Sequence, residues 1–272
     1  MDRQTLSQAT AATVHARTME PATRRLLHTA RNDTTPHRDL LNSCTLKRLV
    51  TILAAMLSAT ALHAQQYTIE DRVAEFGEIV RGRLAPKFDA AGVPYPPRGV
   101  ALIAIKQTRV LQVYASGPDG TPRYVSSYPI LAASGTLGPK LREGDRQVPE
   151  GIYRVRELNP NSLYHLSIWL DYPNEFDLAK AALEGRTEPG SEIMIHGDEK
   201  SRGCLAMGDP AAEDLFVLAA LTGVGNVKVI LAPADFRTTN DVQLPEGAPS
   251  WTAELYDHIK AELAPYPAPP KS

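Results

Sequence analysis

A thiol and an imidazole stand eight positions apart between Ser191 and Asp209: Cys204 follows Gly203, and His196 closes a short apolar run, Ile193-Met-Ile195. The run suits a buried strand, which brings His196 out at a strand end where a side chain can face a cleft. Asp209 followed by Pro210 makes a strong helix start, with Asp209 as N-cap and Pro at the first helical position. Cys204 therefore falls in a loop between strand and helix. A thiol is a weak nucleophile until it loses its proton, and a neighbouring imidazole both takes that proton and stabilises the thiolate. His196 is the nearest base, with the Gly197 carbonyl as its orienter. Gly203 lets backbone approach a substrate, and the N–H groups of Arg202, Gly203 and Cys204 are the oxyanion donors on offer. The chemistry indicated is acyl transfer from a cysteine nucleophile.

Other roles fit the same residue types. Most free cysteines are small buried hydrophobes, and a histidine beside a strand is more often a hydrogen-bonded core residue than a catalyst. No C-x-x-C or H-x-x-x-H accompanies Cys204, His196 and Asp209, so neither a metal nor a cofactor is expected. A papain-like endopeptidase fits poorly, since here the histidine precedes the cysteine within one loop.

The elements that must position this pair are mostly strands. Val100 to Ile105 is a buried run, Arg109 to Tyr114 alternates, and Pro118-Asp-Gly120 supplies a turn before Arg123 to Tyr128. Gly151 to Arg156 alternates again, Tyr164 to Leu170 makes a fifth strand, and Val227 to Leu231 returns as a strand after a helix over Pro210 to Thr222. Helix within this region is expected mainly at 210–222. Thr68 and Asp71 predict an N-cap for an amphipathic helix over 69–84, ended by Ala85-Pro86, and Val93 to Pro97 reads as a stiff linker. A last amphipathic helix over 252–263 precedes a Pro-rich end and reads as peripheral.

Export is written near the start. Lys47-Arg48 ahead of the apolar stretch Leu49 to Leu62 has the layout of a signal peptide, with cleavage expected before Gln65. The stretch is short for a bilayer span, which needs ~20 apolar residues, so no stable membrane span is expected after cleavage. Residues 1–45 are polar and aperiodic, and read as a disordered extension or a mis-assigned start. Cys44 precedes the cleavage point, which leaves Cys204 alone in the mature chain, and an unpaired thiol in an oxidising compartment points to reactivity. Residues 1–64 hold 8 Lys and Arg against 4 Asp and Glu, leaving 21 against 27 for the remainder. That acidic balance argues against a nucleic-acid partner.

The string His196-Gly197, with Ser201-Arg-Gly-Cys204-Leu-Ala-Met207-Gly-Asp209, resembles the active-site signature of the YkuD-type L,D-transpeptidase family, in its short-spaced murein peptidase or amidase-like branch. Ser134 to Asp145, Val148 to Tyr153, Asn159 to Ser167 and Asp171 to Asn174 resemble that branch too, so the similarity covers roughly 97–235. Many family members carry a second histidine where Arg202 stands and a longer spacing between base and nucleophile. The resemblance implies a β-rich (α+β) fold: a mixed β-sandwich L,D-transpeptidase-type catalytic domain, with one helix after the nucleophile loop and short flanking helices. The domain plan expected is 1–45 as extension, 46–64 as signal peptide, 65–96 as helix and linker, 97–235 as catalytic domain and 236–272 as C-terminal tail. The partners implied are peptidoglycan stem peptides, and wall-linked lipoprotein as a further substrate, in the periplasm or otherwise at the cell envelope. Ser201, Arg202, Tyr164 and His165 are the expected substrate contacts, with Lys140 and Arg142 as cations on a rim loop over 135–150; a mixed charge run of this kind is more often solvated surface. His165 is expected close to His196. Hydrolysis is favoured over transpeptidation, and a catalytically silent peptidoglycan-binding module is the alternative.

Overall fold

The structure, a computed structural model, describes residues 66–239 and 242–270. They lie in one compact unit, His63–Ser272, and the expected signal peptide and residues 1–45 fall outside the described residues.

Helix α1, Ile69–Ala90, opens on a reciprocal cap: Thr68 Oγ accepts from Asp71 N–H at 3.1 Å, and Asp71 accepts from Thr68 N–H at 2.8 Å. It does not end at Pro86 as expected. Val80, Leu84 and Phe88 form one buried stripe, so the last turn is retained by burial of Phe88 despite the backbone donor that Pro86 lacks. Val93 and Tyr95 join the same core as α1 and the sheet.

The strands are β1 (Val100–Ile105), β2 (Val110–Ser116), β3 (Pro122–Pro129), β4 (Ala132–Ala133), β5 (Gly151–Asn159), β6 (Ser167–Leu170), β7 (Met194–His196), β8 (Leu205–Ala206) and β9 (Val227–Ala232). They run in the order β3-β2-β1-β9-β5-β6-β7-β8-β4, with β1–β9 and β7–β8 parallel and the other pairs antiparallel. The fold is β-rich α+β. Its two leaves join through β5, whose residues 151–154 pair with β9 and whose distal half pairs with β6 beyond a bulge between Val155 and Glu157.

Three more helices complete the unit. Helix α2, Glu175–Leu183, was not among the expected elements; Asn174 and Asp177 cap it reciprocally, but at nine residues it is too short to show a periodic stripe. Helix α3, Asp209–Thr222, packs on α1 and carries Leu215 to Ala219 into the main core. Helix α4, Thr252–Leu263, is not peripheral. Strands β1 and β9 are buried on both faces: Val100, Leu102 and Ala104 enter the main core, while Ala101, Ile103, Ile105 and Ile230 meet Leu255, Ile259 and Leu263 of α4. Full burial of each such aliphatic side chain contributes about 1.5–3 kcal/mol, so Leu255, Ile259 and Leu263 hold α4 on the sheet.

Candidate active site

Strands β7 and β8 set the site. Ile195 pairs with Leu205 and His196 with Ala206 in parallel register, which puts Cys204, one residue ahead of β8, across from Met194. Ile168, Ile195 and Leu205 point into the main core. By strand alternation, Ser167, Trp169, Met194, His196 and Cys204 share the opposite face of β6, β7 and β8. Nucleophile and base candidates thus stand on neighbouring strands with their side chains to one side.

The imidazole is orientated through one nitrogen. His196 is 1% exposed, and its Nδ1 lies 2.5 Å from the Gly197 carbonyl oxygen. A carbonyl only accepts, so Nδ1 carries the proton and Nε2 is left as the basic nitrogen. Burial pulls the imidazole below its ordinary pKa, with the Gly197 carbonyl opposing. The Tyr164 ring packs on His196 at a centroid distance of 4.6 Å and a tilt of 34°. Gly197 is required here: a Cβ would stand 2.6 Å from Asp209 Oδ1 and 2.7 Å from the Tyr164 carbonyl oxygen.

The thiol is held in its neutral form. Cys204 is 8% exposed, its Sγ donates to the Glu192 carbonyl at 3.5 Å, and burial pushes its pKa above the ordinary thiol value. Among the described residues no hydrogen bond joins Cys204 to His196. The thiolate–imidazolium pair expected from sequence is therefore absent in this state, because desolvation raises the thiol and lowers the imidazole, penalising both charged forms.

The expected oxyanion donors are also engaged. Gly203 N–H donates to Ser134 Oγ at 2.6 Å and Cys204 N–H donates to Ser201 Oγ at 3.0 Å, so the two point at different hydroxyls rather than at one site. Ser201 in turn donates to the Cys204 carbonyl, and Ser134 donates to the Arg146 carbonyl at 2.7 Å. Ser201 clasps the Cys204 backbone, and Ser134 ties Gly203 to the loop over 135–150. Arg202 is exposed.

The loop is braced from inside. Lys140 is not a free rim cation: it is 7% exposed, with Nζ on Asp145 Oδ1 at 2.6 Å and on the Arg142 carbonyl at 2.9 Å. Asp145 also accepts from the backbone of Leu141, Arg142 and Gln147, and the Gln147 amide bridges Thr136 and Gly138. A mixed charge run in sequence gives no sign of such pairing. Arg142 remains exposed.

His165 is adjacent to the site but turned from it. Its backbone is left-handed, φ 69°, which excludes it from the fifth strand expected over 164–170; β6 begins only at Ser167. Its Nε2 meets Glu213 Oε1 of α3 at 3.1 Å and its ring stands edge-on to Phe76 of α1, so it does not serve His196 directly. Glu213 is held from its other oxygen by Arg83 of α1 at 2.9 Å. Asp209 is not the N-cap of α3, a place taken by Gly208; its carboxylate instead accepts from Asp198 N–H at 2.9 Å, fixing the turn after His196. Arg146, His165, Glu192 and Asp198 are all non-glycine residues at positive φ around the pair, a concentration of strain typical of functional sites.

Sequence reasoning missed several of these neighbours. Ser134, Glu192, Ser167, Trp169 and Glu213 come to the pair, or to His165 beside it, through strand pairing and loop closure; Ser134, Glu192 and Ser167 stood in noted motifs, but nothing local gave them a place at the site. Among the described residues no group of three or more His, Cys, Asp or Glu is placed to hold a metal ion, and no helix is long and apolar enough to cross a membrane.

The strands and helices define a β-rich α+β domain. Residues 99–230 match the L,D-transpeptidase catalytic domain, YkuD, and the chain carries a domain of that family. It is 37% identical over 140 residues to the putative L,D-transpeptidase YafK of Escherichia coli K12, covering 50% of this chain and 53% of the relative, and equally similar to YafK of strain O157:H7. The chain spans about half the length of these curated relatives. Among solved structures it is similar to the helical cell shape determining protein Pgp2 of Campylobacter jejuni, at 25% identity and a TM-score of 0.41 over 57% of this chain and 56% of that one. Bd1075 of Bdellovibrio bacteriovorus matches at 23% identity and a TM-score of 0.37, over 62% and 55%.

Proposed function

We propose that this protein is an exported cysteine enzyme of the cell wall, cleaving or transferring D-amino acid or diaminopimelate peptide linkages of peptidoglycan through a Cys204 thioester. The observation that carries the reading is the Cys204 and His196 pair on one face of β7 and β8, inside a segment that matches L,D-transpeptidase domains. The neutral resting pair implies that proton transfer accompanies attack. The S–H proton passes to His196 Nε2 as the S–C bond forms, the carbonyl becomes an oxyanion, and the C–N bond then breaks as the leaving amine takes that proton. Water or an amine next attacks the thioester, giving its proton to Nε2, and the acyl group leaves as the proton returns to sulfur. For Gly203 N–H to stabilise the oxyanion it exchanges Ser134 Oγ for the substrate oxygen. Hydrolysis is favoured over transpeptidation by the short spacing of base and nucleophile and by Arg202 standing where many relatives carry a second histidine. Substrates are stem peptides, with wall-linked lipoprotein as a second class, and the segment 46–64 directs the chain to the periplasm.

The test is incubation of the purified protein with peptidoglycan, with and without linked lipoprotein, beside Cys204→Ala, with products followed by mass spectrometry. Released peptides or lipoprotein identify a hydrolase; new crosslinks or exchanged D-amino acids identify a transpeptidase. Identical products from both proteins, with wall binding intact, would sink the enzyme reading and leave a silent binding module.

A further inference from the structure

The face that carries Cys204 extends beyond the nucleophile. Trp169 of β6 pairs with Met194 of β7, and Met194 stands across from Cys204, so the three form a row across adjacent strands. On the far side of Trp169 comes β5, and there the ladder is irregular: Val155 pairs with Leu170 and Glu157 with Trp169, leaving Arg156 as the extra residue of a bulge. Bulges next to active sites re-aim a side chain. Here the re-aimed side chain is a cation, with the Arg156 guanidinium stacked over the Trp169 ring at 4.7 Å from its centroid. Trp169 is steadied beneath it by its own Nε1–H, which donates to Ser167 Oγ at 3.1 Å.

Arg156 is underused by the protein. Among the described residues its one charged partner is its sequence neighbour Glu157, at 3.3 Å, with the two side chains 45% and 54% exposed. An exposed pair of that kind holds weakly, and a guanidinium has five donors. Stacking on an aromatic face leaves the edge of the guanidinium plane directed outward, the geometry that receives a carboxylate in bidentate fashion. The Arg156 backbone lies three strand spacings of ~4.8 Å from that of Cys204 and its guanidinium reaches back over Trp169, one strand nearer, so the cation stands roughly 10–14 Å from the nucleophile, about three to four residues of extended peptide.

We propose that Arg156 on Trp169 is a specificity subsite that takes a free carboxylate of the peptide whose carbonyl is presented to Cys204. The inference rests on the peptidoglycan reading above, and deepens it by naming the feature of the stem peptide that is recognised. Met194, half-exposed between Trp169 and Cys204, is the floor over which the chain lies.

Binding separates this proposal from the enzyme reading. Cys204→Ala protein, alone and combined with Arg156→Gln or Arg156→Lys, is titrated with diaminopimelate-containing stem peptides whose carboxylates are amidated one at a time. Without the Arg156 change, a single amidation is expected to weaken binding about tenfold. With Arg156→Gln the free-acid peptide binds about tenfold more weakly and that amidation has no further effect, while Arg156→Lys retains part of the discrimination. Equal loss on every peptide with Arg156→Gln, or binding unchanged by it, would overturn the subsite. Failure of wild-type protein to process peptidoglycan, with this discrimination intact, removes the enzyme reading and leaves the subsite standing.

Discussion

Lys106→Met tests how the loop beside Cys204 is held. Lys106, at the end of β1, is almost fully buried, and its Nζ reaches Glu150 Oε1 at 2.9 Å, the Val148 carbonyl at 2.9 Å and the Gly138 carbonyl at 3.1 Å. Burial lowers the lysine pKa, with Glu150 opposing. Glu150 is 1% exposed; its Oε1 also accepts from Gly138 N–H at 2.7 Å, while among the described residues its Oε2, beside Tyr256, makes no hydrogen bond of normal geometry. Removing the cation leaves a buried carboxylate without its counter-ion and the Val148 carbonyl without this donor, while the Gly138 carbonyl keeps Gln147, a loss of about 3–5 kcal/mol. For a domain of this size that lowers Tm by roughly 6–20 °C. Since the pair is incompletely satisfied, Lys106→Met with Glu150→Leu should recover about 1–3 kcal/mol relative to the sum of the single changes. Urea unfolding of the four proteins measures each corner of the cycle. A Lys106→Met protein within about 1 kcal/mol of wild type, or strict additivity of the two changes, would refute the argument that this ion pair anchors the loop.

Four further outcomes follow from the site and its surroundings. Iodoacetamide should modify Cys204 more slowly at neutral pH than it modifies an exposed thiol, with the rate still rising above pH ~8.5, because burial raises the thiol pKa; rapid labelling at pH 6 would contradict the neutral resting pair. By the same shifts, stability falls as pH rises above the unfolded thiol value of ~8.5, and falls on the acid side as pH drops below the unfolded imidazole value of ~6.5; His196→Gln should flatten the acid limb in melts taken across pH. Burial raises the Asp177 carboxyl to about 6, so stability is full at low pH and is lost as the carboxyl ionises between about pH 4 and 6. Asp177→Asn should then stabilise the protein at pH 7 by ~1–3 kcal/mol, and a lower Tm than wild type would show that the charge is compensated. Gly197→Ala places a Cβ against Asp209 and the Tyr164 carbonyl, and is expected to cut turnover about a hundredfold by shifting the turn that orientates His196; near-normal turnover would mean the turn yields without moving the imidazole.

The reading from sequence went furthest where the pattern is local. Helix α4 came out with its observed bounds, β1 and β9 were evident as apolar runs, and the order of strand, cysteine loop and helix around His196 and Cys204 followed from residue types alone. Reach was lost where a long-range contact outweighs a local rule. Pro86 should end α1, but burial of Phe88 carries the helix on to Ala90. His165 reads as a strand residue, yet Glu213, 48 positions later, and Phe76 hold its ring while its backbone turns left-handed. Lys140 reads as a surface cation, but Asp145 folds back on it and the pair is buried.

The sequence by itself carried the family resemblance, with the β-rich class that it implies, and the candidate pair Cys204 and His196, whose spacing lies within a single segment. Only the tertiary structure decided their condition. Parallel pairing of β7 and β8 sets thiol and imidazole on one face, Ser134 from a distant loop occupies Gly203 N–H, and a bulge in β5 brings Arg156 over Trp169. The thiol stays protonated for the same reason: proton affinity follows from desolvation and from which carbonyls lie within reach, and both depend on strands that are far apart in sequence.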